Sequence, residues 1–124
     1  MRVNGTHGVG VKTDSDDQMR SFFAGVAGLP ADLDGTDVTI FSFPGGDKME
    51  IVGPDAGHPP GQFARNAVVA SLLAEDTGAA SRKLQAAGIE LLGEREDGGH
   101  GYFWQHFRAP DGTVFELVAD PAHP

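Results

Sequence analysis

The chain has 124 residues, a formal net charge of −9 at pH 7 and no cysteine. Its length suits a single domain, residues 1–124, that buries roughly two thirds of the surface exposed by the unfolded chain. The acidic balance opposes binding to nucleic acid or to anionic membranes, and the lack of cysteine excludes disulfides, a thiolate nucleophile and a cysteine-ligated zinc site. Residues 1–11 lack the apolar core of a secretory signal and no run is apolar enough to span a bilayer, so we expect a cytoplasmic protein.

The first half of the chain begins with a predicted strand and helix. Residues 6–13 alternate in the manner of a strand, with His7 on the same face as two valines. Asp14 or Ser15 then caps a helix, because short polar side chains accept hydrogen bonds from the free N–H groups at a helix start. Gly28 ends this helix, since glycine readily adopts the conformation that follows a last helical turn.

A predicted β-hairpin completes the first half. Residues 37–43 and 48–52 flank a Pro-Gly-Gly-Asp turn, and Glu50 lies on the second arm. A stretch rich in proline and glycine follows, which is typical of a linker. The expected boundaries are a first module at 1–53, a linker at 54–64 and a second module at 65–124.

The second half repeats the order of the first. An apolar strand covers residues 66–74, Asp76 or Thr77 caps a helix, Gly88 closes it, and further strands follow from Ile89.

The last hairpin carries a carboxylate on an apolar face. Residues 102–108 and 113–118 are rich in aromatic and β-branched residues and flank an Ala-Pro-Asp-Gly turn. Glu116 alternates with Val114 and Val118, so its side chain shares their face of the strand. A buried carboxylate without a partner is unfavourable by several kcal/mol unless it takes up a proton. This face is therefore either wet or part of a site.

The two halves form an internal duplication. Seven positions separate His7 from Asp14, and seven also separate Val69 from Asp76. Each half ends in a hairpin with a glutamate on its last strand. The predicted fold is therefore α+β, with two repeated βαβββ modules whose strands form a curved, cup-like mixed sheet with the helices outside. A ligand is expected inside the cup.

This pattern resembles the vicinal oxygen chelate superfamily, which includes glyoxalases, bleomycin-resistance proteins and dioxygenases. The shared features are a strand with histidine, an Asp-capped helix and a glutamate-bearing hairpin, repeated and closed by the run Phe-Arg-Ala-Pro-Asp-Gly-Thr-Val-Phe-Glu-Leu from Phe107 to Leu117. Ala109 stands where the family usually has aspartate, a departure that removes no candidate ligand. The resemblance covers nearly the whole chain and implies a small-molecule ligand and a homodimer.

The resemblance also implies a divalent metal in the cup. The candidate ligands are His7, Glu50 and Glu116, which alternation places on inward strand faces. Such an oxygen-rich set suits Mn, Fe(II), Ni or Mg better than a closed Zn site. Metal-binding members supply a histidine and a glutamate from each half, and here Val69 occupies the second histidine position. The ion would polarise adjacent oxygens of a substrate, with Glu50 or Glu116 as the catalytic base.

Plainer interpretations of these residues stay open. His7 could point into water from an edge strand, and Glu50 could be an exposed carboxylate beside Lys48. Aromatic side chains could line a ligand pocket or simply form core, and His106 could face the cup or the solvent. The candidate ligand-binding residues are Phe41, Phe43, Trp104, His106 and Arg108.

Three functions are compatible with the sequence. The first is a metal-dependent lyase, isomerase or dioxygenase that acts on a substrate with adjacent oxygens. The second is a metal-free protein that sequesters a drug or metabolite, as bleomycin-resistance members of the family do, and Val69 favours this role. The third is a partner-binding module that keeps the fold without the cup. No dinucleotide-binding, phosphate-loop or nucleophile-elbow motif is present, which argues against a nucleotide enzyme or a serine hydrolase.

Overall fold

The computed structural model describes residues 2–56 and 66–123. Within these ranges the chain forms eight β-strands and two α-helices, and the first helix runs on into a π-helical turn at Phe22–Val26. The strands are β1 Val3–Lys12, β2 Ala31–Asp34, β3 Val38–Ser42, β4 Lys48–Val52, β5 Val68–Ala74, β6 Glu90–Gly99, β7 Tyr102–Arg108 and β8 Val114–Ala119. The helices are α1 Asp16–Ser21 and α2 Thr77–Ala86.

All the described strands belong to one mixed sheet, in the order β2-β3-β4-β1-β5-β8-β7-β6. Each half contributes a strand, a helix and three more strands, and the halves meet where β1 pairs antiparallel with β5. Within each half the first strand lies parallel to the last, β1 beside β4 and β5 beside β8. The sheet curls into a half-barrel with the two helices. This architecture confirms the predicted α+β fold of two βαβββ modules.

Strand β2 has no counterpart among the predicted elements. It is four residues long, fully exposed and at the edge of the sheet, where among the described strands it pairs only with β3. A segment this short carries too few alternating positions to be distinguished from a loop by its sequence.

The two helices begin in different ways. Asp76 is the N-cap of α2, and its side chain accepts a hydrogen bond of 3.0 Å from the backbone N–H of Ala79, as one of the two predicted alternatives requires. Ser15 precedes α1, but its side chain makes no capping hydrogen bond. After the π-helical turn, Gly28 adopts a positive φ of 71°, which ends the helical segment.

Helix α2 covers the convex face of the sheet and so fixes which side chains face the cup. Ala80 of α2 forms a buried cluster with Phe107 of β7 and Leu117 of β8. The Ser81 hydroxyl donates a buried hydrogen bond of 2.6 Å to Oε1 of Gln105. Because side chains alternate along a strand, residues 104 and 106 of β7 then point to the concave side.

Most of the predicted linker, residues 57–64, lies outside the described residues, and the division into modules at 53 and 65 stays a prediction. Neither α-helix in the described ranges is long and apolar enough to cross a membrane.

Candidate functional site

The concave face of the sheet encloses a cavity of about 730 Å³. Strands from both modules line it, so neither half could form it alone. Its wall contains all three candidate metal ligands, which are His7 on β1, Glu50 on β4 and Glu116 on β8. The face of Glu116 is therefore part of the inner wall of a cavity.

Glu116 has a hydrogen-bonding partner on each of its two oxygens. Oε2 lies 3.0 Å from Nε2 of His106, and Oε1 accepts a hydrogen bond of 2.8 Å from the Ser71 hydroxyl. The sheet register produces both contacts, since Glu116 is opposite His106 on β7 and opposite Ser71 on β5. His106 is 2% exposed, so this predicted ligand-binding residue faces the cavity and not the solvent. Both oxygens of the carboxylate on the apolar face of β8 therefore have a hydrogen-bonding partner.

The carboxylate of Glu50 has fewer stabilising partners than that of Glu116. It lies on β4 opposite Gly10 of β1, is half-buried, and among the described residues accepts no hydrogen bond and forms no ion pair. Burial, and then the negative charge of Glu116, raise the pKa of Glu50 to about 7, against a smaller opposing effect of His106. A carboxyl group with this pKa exists in both protonation states near neutral pH.

His7 lies at a different level of the cavity from Glu50. The pairing of β1 with β5 shifts between Thr6 and Gly8, so His7 is the extra residue of a β-bulge. It is three positions from Gly10, the neighbour of Glu50, which corresponds to roughly 10 Å along the strand. Its Nε2 lies 2.9 Å from Oδ2 of Asp120, just after β8, and both side chains are buried. His7 therefore belongs to a separate histidine–carboxylate pair.

Two aromatic side chains of β7 form one wall of the cavity. The rings of Tyr102 and Trp104 lie 5.7 Å apart at 59°, and Tyr102 also contacts His7 edge to face at 5.9 Å. Gly98 on the neighbouring β6 makes room for both rings, because a Cβ there would lie 2.9 Å from the indole and 3.1 Å from the phenol ring. Burial, and then the charges of nearby carboxylates led by Glu116, raise the pKa of Tyr102 above its ordinary value, so its hydroxyl remains a neutral donor.

Of the predicted ligand-binding residues, Trp104 and His106 line the cavity and the other three do not. Phe41 is 1% exposed and packs against Phe23 of the π-helical turn, while its strand neighbour Ile40 faces the cavity. Phe43 follows the end of β3 and is 36% exposed. Arg108 lies toward the edge of the sheet, where its Nε donates a hydrogen bond of 3.0 Å to Glu90 of β6. Alternation does not say which strand face is the inner one, and this explains the placement of Phe41. Arg108 shares the strand face of His106 but is the last residue of β7 and lies outside the cavity wall.

Ser71, Tyr102 and Asp120 are site residues that the sequence did not single out. Ser71 lies two positions after Val69 and therefore on the same strand face, which is the signal that could have found it. The pairing of Asp120 with His7 spans 113 positions, and no local pattern indicates it.

The predicted metal ligands do not assemble into a metal site. Among the described residues, no group of three or more histidine, aspartate or glutamate side chains is arranged to hold an ion. His7 is occupied by Asp120, both oxygens of Glu116 are occupied, and the buried Val69 has no donor atom. As arranged, these side chains do not fit a divalent metal.

A family model and solved structures relate the chain to known proteins. The model of the Glyoxalase/Bleomycin resistance protein/Dioxygenase superfamily matches residues 7–117. Methylmalonyl-CoA epimerase from Mycobacterium tuberculosis is 17% identical with a TM-score of 0.74, and 96% of this chain and 90% of that one are covered. A methylmalonyl-CoA epimerase in complex with methylmalonyl-CoA and NH4+ is 16% identical with a TM-score of 0.75 and 98% coverage of both chains.

A Mn(II)-bound glyoxalase from Novosphingobium aromaticivorans is also similar, at 23% identity and a TM-score of 0.74, over 96% of this chain and 40% of that one. No curated protein matches the chain. At these identities the solved structures establish a common fold, whereas the family match extends over most of the sequence and includes the closing Pro-Asp-Gly…Phe-Glu-Leu run. The chain belongs to the Glyoxalase/Bleomycin resistance protein/Dioxygenase superfamily.

Proposed function

We propose that the protein is an enzyme of the isomerase or lyase type in which Glu50 transfers a proton to or from a small molecule bound in the cavity. One observation carries this proposal: Glu50 faces the cavity without a hydrogen-bonding partner among the described residues, and its pKa is about 7. A general base works best when its pKa lies near the operating pH, because the base is then both available and strong enough to accept the proton.

The neighbouring groups suit proton transfer next to a carbonyl. Glu50 takes the proton from the C–H bond, the electron pair of that bond forms the C=C bond of an enolate, and the carbonyl π pair moves onto oxygen. When the carbonyl re-forms, Glu50 returns the proton to carbon, or the bond to a leaving group breaks and Glu50 protonates that group. The neutral hydroxyl of Tyr102 is a donor for the oxygen on which negative charge develops. Burial and then the negative charge of Glu116 raise the pKa of Glu50, because both disfavour its ionised form.

A divalent metal, as in the Mn(II)-bound glyoxalase, supplies Lewis-acid polarisation of substrate oxygens when it is present. The described side chains form no such site, so we assign the proton transfer to Glu50. The specificity for substrates with adjacent oxygens, which the family resemblance implied, stays a prediction, as does the metal.

Hydrogen–deuterium exchange tests this proposal. The protein is incubated in D2O with a panel of 2-substituted ketones, aldehydes and thioesters, some of them bearing an amine, and loss of the C–H signal next to the carbonyl is followed by NMR. We expect exchange of at least one compound in the presence of EDTA, with a rate that rises through pH 7. Glu50→Gln should slow exchange by about 100-fold or more.

Glu94→Gln is the matched control, because it removes the same charge from an exposed position outside the cavity wall. Exchange that survives Glu50→Gln would overturn the proposal. Exchange that disappears in EDTA and returns with Mn(II) would assign the chemistry to a metal instead.

A second candidate is a binding protein without catalysis. The Tyr102–Trp104 wall favours it, because aromatic faces bind planar or apolar groups without any reaction. A ligand that binds tightly but undergoes no exchange at any pH would support this alternative. The homodimer implied by the family resemblance stays a prediction, which sedimentation analysis would test.

A further inference from the structure

We propose that the cavity selects an organic cation, a small molecule whose protonated amine lies among the carboxylates while its apolar part packs on Trp104. This inference rests on the proposed function, because it names the ligand of the same cavity.

Negative side chains dominate the cavity wall. The carboxylates in the wall are those of Asp32, Glu50, Glu96, Glu116 and Asp120. Lys48 is the one lysine or arginine among the described residues that line it. Its ammonium group is already held by Asp32 at 2.6 Å and by the Ser42 hydroxyl at 2.7 Å. The two histidines of the wall, His7 and His106, are each paired with a carboxylate, so the described wall has no unpaired basic side chain to compensate an anionic ligand.

The carboxylates differ in their partners. Glu116 and Asp120 are paired with His106 and His7, respectively. Glu50 and Glu96 have no side-chain hydrogen bond or ion pair among the described residues. The charge that a ligand could neutralise is therefore concentrated on these two side chains.

Glu96 and Trp104 are placed side by side. They are directly opposite each other in the β6–β7 pair, so their side chains share one face of the sheet. The indole ring packs against Gly98 and lines the cavity. An ammonium group between a carboxylate and an aromatic face gains both the ion pair and the cation–π attraction.

The arrangement of the cavity side chains favours an organic cation over a bare metal ion. A bare divalent ion needs several oxygen or nitrogen donors arranged around it, and the described residues offer no group of three. An amine requires only hydrogen-bond acceptors and a neighbouring apolar surface. The Tyr102–Trp104 wall supplies that surface.

A matched series of ligands tests this inference. The probes are 4-phenylbutylamine, 4-phenylbutanol and 4-phenylbutyrate, titrated at pH 8 by calorimetry and by quenching of Trp104, the one tryptophan of the chain. We expect the amine to bind about tenfold more tightly than the alcohol and the carboxylate to bind weakest. The preference should shrink in 0.5 M NaCl, because salt screens the ion pairs (roughly a 3–5 Å screening length at such concentrations).

Variants locate the effect. Glu96→Gln should weaken binding of the amine about threefold or more and leave binding of the alcohol unchanged, whereas Glu94→Gln should change neither. Equal or tighter binding of the alcohol or the carboxylate, or binding of Mn(II) with no binding of the amine, would overturn the inference. Because binding is measured without turnover, an amine that binds while no compound undergoes exchange contradicts only the proposed proton transfer.

Discussion

Glu50 and Glu116 are the same residue type, on the last strand of their modules, and yet their surroundings give them different roles. Glu116 has Ser71 and His106 on its two oxygens, so its charge is stabilised inside the cavity. Glu50 has burial and the repulsion of Glu116, and these raise its pKa to about 7. A carboxyl group in a cavity whose pKa is raised by burial and by a neighbouring charge is typical of acid–base sites.

Removing the Glu50 carboxylate should stabilise the protein at alkaline pH. The folded protein holds the Glu50 proton up to about pH 7, while the unfolded chain releases it near the ordinary value of 4.5. The wild type therefore loses stability as the pH rises between these values, and the loss is complete above pH 7. We expect Glu50→Gln to be more stable than the wild type by roughly 1–3 kcal/mol at pH 8.5 and almost equally stable at pH 4.5.

Urea unfolding at the two pH values measures this difference. Glu94→Gln serves as the control, because its exposed carboxylate should leave the pH dependence unchanged. A Glu50→Gln variant that is destabilised equally at both pH values would contradict the assigned environment of Glu50.

At the scale of elements, the close pairing of β1 with β4 brings Glu50 to the cavity. Gly8 is opposite Lys48 in this parallel pair, and a Cβ at Gly8 would overlap the Lys48 carbonyl group. Only glycine allows the two backbones to approach in this way. The sequence predicted β1 and β4, and it placed Glu50 on an inward face, because alternation is a local property. The bulge at His7 depends on pairing with β5 and leaves no local signal.

Gly8→Ala should destabilise the fold strongly. We expect a loss of about 3 kcal/mol or more in the free energy of unfolding, since the added methyl group forces β1 and β4 apart. Gly25→Ala in the π-helical turn is the matched control, because nothing lies within 4 Å of its Cβ. That control should stay within about 1 kcal/mol of the wild type. Similar effects of the two substitutions in urea unfolding would refute the close β1–β4 approach.

At the scale of the whole molecule, one sheet built from two modules creates a cavity that carries carboxylates from both. The duplication of strand, helix and hairpin was sufficient to predict this architecture, because each module leaves one edge of its first strand unpaired and the other module completes it. The partners inside the cavity could not be predicted in the same way. Ser71 reaches Glu116 across 45 positions, and this contact depends on which residues face each other between strands. The strand faces of Ile40 and Phe41 likewise became clear only from the packing of Phe41 on Phe23.

The titration of Glu50 tests the central claim most directly. With 13C-labelled glutamate, the side-chain carboxyl resonance of Glu50, assigned by its loss in Glu50→Gln, is followed by NMR from pH 3 to pH 9. We expect a midpoint at about 7 in the wild type and a lower midpoint in Glu116→Gln, because that substitution removes the neighbouring negative charge. A midpoint that Glu116→Gln leaves unchanged would contradict the contribution of Glu116. A midpoint near 4.5 would contradict the assignment of Glu50 as the proton-transferring group of this cavity.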